Sequence, residues 1–122
     1  MTTQTETTHA GDFIISEANG NRSRDNATLI SGQDLAAGAV LGKITASGKF
    51  TAYDPDLADG GQTAVGVLYE AVDASAGDLP CVVIARDAEI NRDQLAYLAN
   101  NSPPVVEATA EAELAAVGII VR

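Results

Sequence analysis

Residues 28–69, TLISGQDLAAGAVLGKITASGKFTAYDPDLADGGQTAVGVLY, decide the fold of this chain. Short apolar runs alternate there with glycine-containing turns, and an acidic Asp-Gly-Gly loop precedes the last run. In its middle, Phe50 and Ala52 alternate with Thr51 and Tyr53, which predicts a half-buried strand. No nucleophile, base or metal cluster runs through this pattern of strands and turns. The segment therefore favours a structural protein over a catalyst.

The rest of the chain adds further strands and one or two helices. Strands are predicted over residues 28–30, 39–45, 49–53, 63–72 and 79–85. A helix is predicted over residues 92–100, with Asn91 as its N-cap. Residues 108–116 form a weaker helical candidate, and Gly118 then leads into a last strand over residues 119–121. The predicted fold class is mainly β, with one or two short helices.

The composition indicates one small domain that gains stability by forming an oligomer. The chain has 122 residues, enough for one domain and a tail, and its 46% hydrophobic residues are mostly Ala, Val, Leu and Ile. There are two Phe, three Tyr and no Trp. Small side chains bury little area each, and a domain of this size buries a modest share of its surface. Burial between subunits would compensate, so we expect an oligomer.

The charge of the chain argues against nucleic acid and anionic membranes as partners, and its cysteine content excludes an internal disulfide. Seventeen Asp and Glu face seven scattered Lys and Arg, a formal net charge of −10. Binding to phosphates requires clustered basic residues, so we expect no nucleic acid and no anionic membrane as a partner. The single cysteine, Cys81, cannot form an internal disulfide. The first residues do not resemble a signal peptide, and we expect synthesis in the cytoplasm.

The chain divides near Asn26. Residues 1–26 are rich in Thr, Asn, Ser and Gly, which predicts a flexible N-terminal arm, and residues 27–122 form the β-rich domain. The bulky apolar residues of the arm lie in one patch, Phe13, Ile14 and Ile15, followed by Ser16. This patch has strong β propensity. It is either a strand of the protein's own sheet or, as we favour, a strand that pairs with the sheet edge of another molecule.

A metal site and a catalytic site are both disfavoured. Asp54, Asp56 and Asp59, followed by Gly60, are spaced somewhat like a calcium-binding loop. However, the third Asp stands at loop position 6, where that loop needs Gly, and Val65 stands where it needs Glu. We interpret the segment as a solvated acidic turn. Cys81 lies in an apolar strand and the only histidine in the arm, so no catalytic pair is expected, and no metal or cofactor is predicted.

Four motifs in order resemble the head decoration proteins of lambda-type bacteriophages. They are LAAGAVLG at residues 35–42, FTAYD at 50–54, DGGQTAVGVL at 59–68 and GIIV at 118–121. Each motif alone is common, and it is their order and spacing that carry the resemblance. The similarity covers residues 28–122, whereas residues 1–26 do not match the family's arm residue by residue.

The resemblance implies a fold and a function. The family's fold is a bent β-ribbon, the β-clip, and its members are structural proteins rather than enzymes. The implied protein is a homotrimer that binds the major capsid protein at three-fold positions on the outside of the expanded capsid, which it stabilises against internal DNA pressure. Its arm would bind the capsid through Phe13, Ile14, Ile15 and Ser16. The alternatives are another trimeric phage part, from a tail or fibre, and a small cation-dependent enzyme that uses Asp54, Asp56 and Asp59.

Overall fold

The computed structural model of the protein describes residues 9–97 and 107–122. These residues contain ten strands, one turn of 3₁₀ helix and one α-helix. The elements are β1 Ile14–Glu17, β2 Arg24–Leu29, β3 Asp34–Leu35, β4 Val40–Lys43, β5 Phe50–Ala52, β6 Gly66–Leu68, β7 Val72–Asp73, β8 Leu79–Ile84, β9 Ala88–Ile90, the 3₁₀ turn Arg92–Gln94, α1 Glu107–Ala116 and β10 Ile119–Val121. The mainly β class predicted from the sequence is confirmed.

Five strands close into a barrel in the order β2-β5-β4-β6-β8. β2 and β8 are antiparallel over six residue pairs, from Arg24↔Ile84 to Leu29↔Leu79. The barrel closes where Leu29 pairs with Phe50 in parallel. β4 and β5 form an antiparallel hairpin, and in its turn Gly48 has a φ of 74° and donates its N–H to Ile44 O at 2.8 Å.

Three barrel strands, β4, β5 and β6, are buried on both faces apart from Lys43 at the end of β4. Residues that alternate along β4, β6 and β8 belong to two different hydrophobic clusters, because successive side chains of a strand point to opposite faces. One cluster contains Leu41, Leu68 and Val83, and the other contains Val40, Val67 and Ile84. The half-buried β5 that we predicted is therefore wrong: all three of its residues are buried, with Thr51 6% exposed.

A three-stranded sheet completes the fold, in the order β1-β9-β10. β1 pairs antiparallel with β9, and β10 pairs parallel with it. Gly118, with a φ of 90°, ends α1 and turns the chain into β10. The weaker helical candidate and the last strand are thus both confirmed. β9 was not predicted, since its three residues are too few to show a period.

The helix predicted over residues 92–100 is largely replaced by a single 3₁₀ turn. Asn91 does cap this turn, because its Oδ1 accepts the N–H of Asp93 at 3.1 Å. Leu95 is already extended, and Ala96 donates its N–H to Gly38 O at 2.9 Å. This pairing with a neighbouring segment competes with the helical hydrogen bonds. Residues 98–100 of the predicted helix lie outside the described residues.

Candidate functional site

Phe13 lies in the core. Its side chain is 0% exposed and belongs to the same cluster as Ile90 and Ile119. Its carbonyl accepts the N–H of Asn91 at 2.8 Å. The sequence pattern favoured a strand that pairs with the sheet edge of another molecule, but in this structure the patch pairs with β9, which is the alternative of a strand in the protein's own sheet. Contact with a capsid is a separate matter, and it stays a prediction.

The four patch residues divide into two pairs. Phe13 and the half-buried Ile14 face the body, and Ile14 pairs with Ile90. Ile15 is 53% exposed and Ser16 is exposed. The division follows from an irregularity in the ladder, where the register shifts between Ile14 and Ser16 and leaves Ile15 without an opposite residue on β9.

A turn anchors the chain ahead of β1. Asp12 donates its N–H to His9 O at 3.1 Å, and its Oδ2 accepts the N–H of His9 at 2.9 Å. Gly11 has a φ of 76° and donates its N–H to Tyr69 O at 3.1 Å. A Cβ on Gly11 would lie 3.2 Å from Cε1 of Tyr69, so both the backbone conformation and the close approach favour glycine here. The position at which residues 1–8 join the body is therefore fixed.

A small polar cluster joins the end of β1 to the start of β2. The carboxylate of Glu17 accepts hydrogen bonds from the buried Ser23 hydroxyl and from the Arg24 guanidinium. The hydrogen bond from Arg24 lowers the pKa of Glu17, and Glu17 in turn raises the pKa of Arg24. The Arg24 guanidinium also lies 4.2 Å from the centroid of the Tyr69 ring, within cation–π distance.

Two more ion pairs hold the start of β2 and the segment before it against the turn before β9. Arg86 Nη2 lies 2.6 Å from Asp25 Oδ2, and Arg22 Nε lies 3.4 Å from Asp87 Oδ2. These exposed pairs contribute little free energy each, but they define the path of the chain. The described part of the predicted arm, residues 9–26, is thus folded against the body, and the predicted boundary at Asn26 falls inside β2.

The three-stranded sheet exposes an outer face. Ser16 and Ile120 both lie opposite Glu89, so these three residues form one row across the sheet. Ile120 is 43% exposed. Arg122 Nη2 lies 3.3 Å from Glu89 Oε1 and so neutralises the one charge in the row. We call Ile15, Ser16, Glu89 and Ile120 the outer face. Sequence reasoning missed it because Glu89, which joins the other residues, lies in the unpredicted β9.

In the acidic loop, two Asp side chains accept hydrogen bonds from backbone N–H groups of the loop itself. Asp54 Oδ1 accepts the N–H of Asp56, and Asp59 Oδ1 accepts the N–H of Gly61, each at 3.0 Å. Asp residues commonly stabilise turns in this way. Among residues 9–97 and 107–122, no three His, Cys, Asp or Glu side chains are grouped so that they could hold a metal ion.

The remaining predicted candidates lie apart in the fold. Cys81 is buried in the barrel strand β8, and burial raises the pKa of its thiol, whereas His9 is exposed in the turn before β1. In the part of the chain that the structure describes, no helix combines the length and the apolar character that crossing a membrane requires.

Comparison with known proteins assigns the family. No curated protein matches the chain. The family model described as bacteriophage lambda head decoration protein D matches residues 3–119. That match spans nearly the whole chain and includes the turn before β1, the barrel, β1, β9 and α1, and it ends at the first residue of β10. The chain belongs to the bacteriophage lambda head decoration protein D family, a family of structural phage proteins that decorate the capsid of the virion.

Proposed function

We propose that the protein is a cement protein, which binds the outside of the expanded capsid of its phage as a homotrimer at three-fold positions. There it stabilises the shell against the pressure of the packaged DNA. The observation that carries this proposal is the family match over residues 3–119. Synthesis in the host cytoplasm, followed by addition to the shell, belongs to the same proposal.

The N-terminal region is the proposed contact with the major capsid protein. Of the four residues first considered, Ile15 and Ser16 face outward and are available to a partner. Phe13 and Ile14 support them from within, because their side chains pack against the body.

The proposed trimer rests on the small side chains of the core. Two clusters share barrel strands that are only three to six residues long, and six members of the clusters are alanines: Ala37, Ala39, Ala64, Ala74, Ala88 and Ala110. Each alanine buries little area, so a further shared surface would add stability. Sedimentation equilibrium should give three times the chain mass of 12.5 kDa, and a mass of 12.5 kDa would contradict the trimer.

Binding to capsids tests the decoration role. Phage heads assembled without the protein are mixed with increasing amounts of it and sedimented. We expect saturable binding, and heads already saturated with unlabelled protein should take up no labelled protein. Decorated heads should also rupture at a higher temperature than bare heads. Failure to sediment with the heads at any concentration would contradict the proposal.

A further inference from the structure

The outer face is an apolar, charge-neutral area on a strongly acidic molecule. Ile15 and Ile120 are the two most exposed large hydrophobic side chains among the described residues, at 53% and 43%. The carboxylate between them, Glu89, is paired with Arg122. Formal net charge over the whole chain is −10, so most of an approaching partner's encounters would be with negative charge. This face, by contrast, carries no net charge, because Glu89 is paired with Arg122.

β1 is built into the sheet that carries this face. Phe13 is fully buried, and Ala18 donates its N–H to Asp87 O at 3.0 Å just beyond the strand. Together with the contact between Gly11 and Tyr69, these bonds hold β1 at both ends. Leaving the sheet would expose Phe13 and break all of them at once. The exposed position of Ile15, next to Ser16 in β1, is therefore a fixed property of the folded body.

We propose that the outer face docks onto an apolar area of the capsid surface while β1 remains paired with β9. The inference rests on the proposed function and deepens it. In this proposal β1 does not leave the body. The contact is a face that exists before docking, and both Ile15 and Ile120 belong to it. The capsid is favoured over a second copy because the family to which the chain belongs decorates capsids, so the family match itself supplies this partner.

Charge substitution tests the face. In Ile15→Asp with Ile120→Asp, two carboxylates would have to be buried against the shell, so the affinity for heads should fall by about tenfold or more. Leu79→Asp is the matched control, because Leu79 is 41% exposed but lies on the barrel strand β8. Its affinity should equal that of the parent. Ile15→Thr with Ile120→Thr is a milder pair that keeps β propensity, and it should give a smaller loss in the same direction.

Three outcomes of this experiment overturn the proposal. The first is unchanged affinity of both double variants, and the second is an equal loss in Leu79→Asp. The third is a fall in the sedimentation mass of the double variants with no change in affinity per chain, which would make the face a contact between copies. If the parent itself does not bind heads, the proposed function fails instead, so the two failures are distinguishable.

A disulfide tests whether β1 stays in place. Ser16 and Glu89 are opposite residues of an antiparallel pair, at a spacing that a disulfide can bridge. The variant Ser16→Cys with Glu89→Cys, made with Cys81→Ala, locks β1 onto β9 when oxidised. We expect oxidised and reduced forms to bind heads with equal affinity, the reduced form being the control for the loss of Glu89. Binding that is lost on oxidation and restored by reductant would show that β1 has to leave.

Discussion

Gly42 illustrates how closely two backbone segments approach in this domain. It lies in the middle of β4 opposite Thr51. A Cβ at this position would lie 2.5 Å from Gly61 O and 2.6 Å from Gly61 Cα, and backbone atoms cannot move aside as a flexible side chain can. The DGGQ segment in which Gly61 lies therefore covers the barrel only because both residues lack a side chain.

Gly42→Ala should accordingly lower the free energy of unfolding by about 1–3 kcal/mol, the usual cost of overpacking. Gly77→Ala is the matched control, because a Cβ on Gly77 would meet nothing within 4 Å. Its effect should be a gain or a change below about 1 kcal/mol. Urea denaturation of both variants and the parent, at one protein concentration, measures the difference. Equal midpoints for Gly42→Ala and the parent would contradict the close approach.

Glu17 gives the domain part of its dependence on pH. Arg24 lowers the pKa of Glu17 in the folded state. A lowered folded pKa means that the stabilisation is fully present above the unfolded value, about 4.3 for Glu, and is lost as the pH falls through the folded pKa. The melting temperature of Glu17→Gln should therefore fall less steeply than that of the parent below about pH 5.

The control for this variant is Glu70→Gln, which makes the same change at an exposed position. Its melting temperature should follow the slope of the parent, since Asp25, whose pKa is lowered mainly by its hydrogen bond with Arg86, contributes equally in all three proteins. Scanning calorimetry from pH 2 to 7 provides the comparison. Parallel curves for Glu17→Gln and the parent would rule out the contribution of the Glu17–Arg24 pair.

For the secondary-structure elements, local sequence signals predicted several strands and a cap, but they did not predict which segments pair with each other. The β propensity of residues 13–16 correctly indicated a strand, but nothing in the sequence marked β9 as its partner, since β9 has only three residues. The cap at Asn91 was correctly predicted, yet the helix after it gave way to the pairing of Ala96 with Ala39. Pairing between segments that are distant in sequence determined both the partner of β1 and the end of the helix, and a local sequence pattern does not predict such pairing.

The outer face shows the same limit for a site. Ser16 and Ile120 are separated by almost the whole chain, and only the register of both strands against Glu89 places them in one row. By contrast, the acidic loop was correctly predicted as a turn, because its Asp residues bond to the backbone two residues away. Sites made by neighbours in sequence are predictable from that sequence, whereas sites made by the fold are not.

The β1 element should be needed for stability as well as for the face it carries. Phe13→Ala should lower the free energy of unfolding by about 3–5 kcal/mol, because it removes a fully buried aromatic side chain. Ile15→Ala, two residues away and exposed, should change it by about 0.5 kcal/mol or less. Chemical denaturation distinguishes the two. Equal, small effects would mean that β1 is not part of the folded body in solution.

This expectation replaces the one that the sequence suggested for the arm. The predicted division at Asn26 implies that a protein without residues 1–26 would still fold, but this deletion would remove β1, Phe13 and half of β2. The deletion suited to testing the arm is that of residues 1–8, which precede the anchoring turn at His9. That shorter protein should keep the parent's stability.

At the scale of the whole molecule, the described residues form a folded body whose surface is already in place before a partner binds. Three of its barrel strands, β4, β5 and β6, are buried on both faces, its ion pairs are distributed over the surface, and the acidic loop is held by its own turns. Such a body has a fixed shape before it meets a partner. That property suits a protein whose family decorates a shell, since a preformed face loses little conformational entropy on binding.

The central claim, that this protein is a cement for the outside of a phage capsid, is tested most directly by electron cryomicroscopy of heads assembled without it and then saturated with it. We predict one added trimer at each three-fold position on the outer surface, with the β1-β9-β10 sheet toward the shell. Heads that look the same with and without the protein, or density that lies inside the shell, would contradict the account.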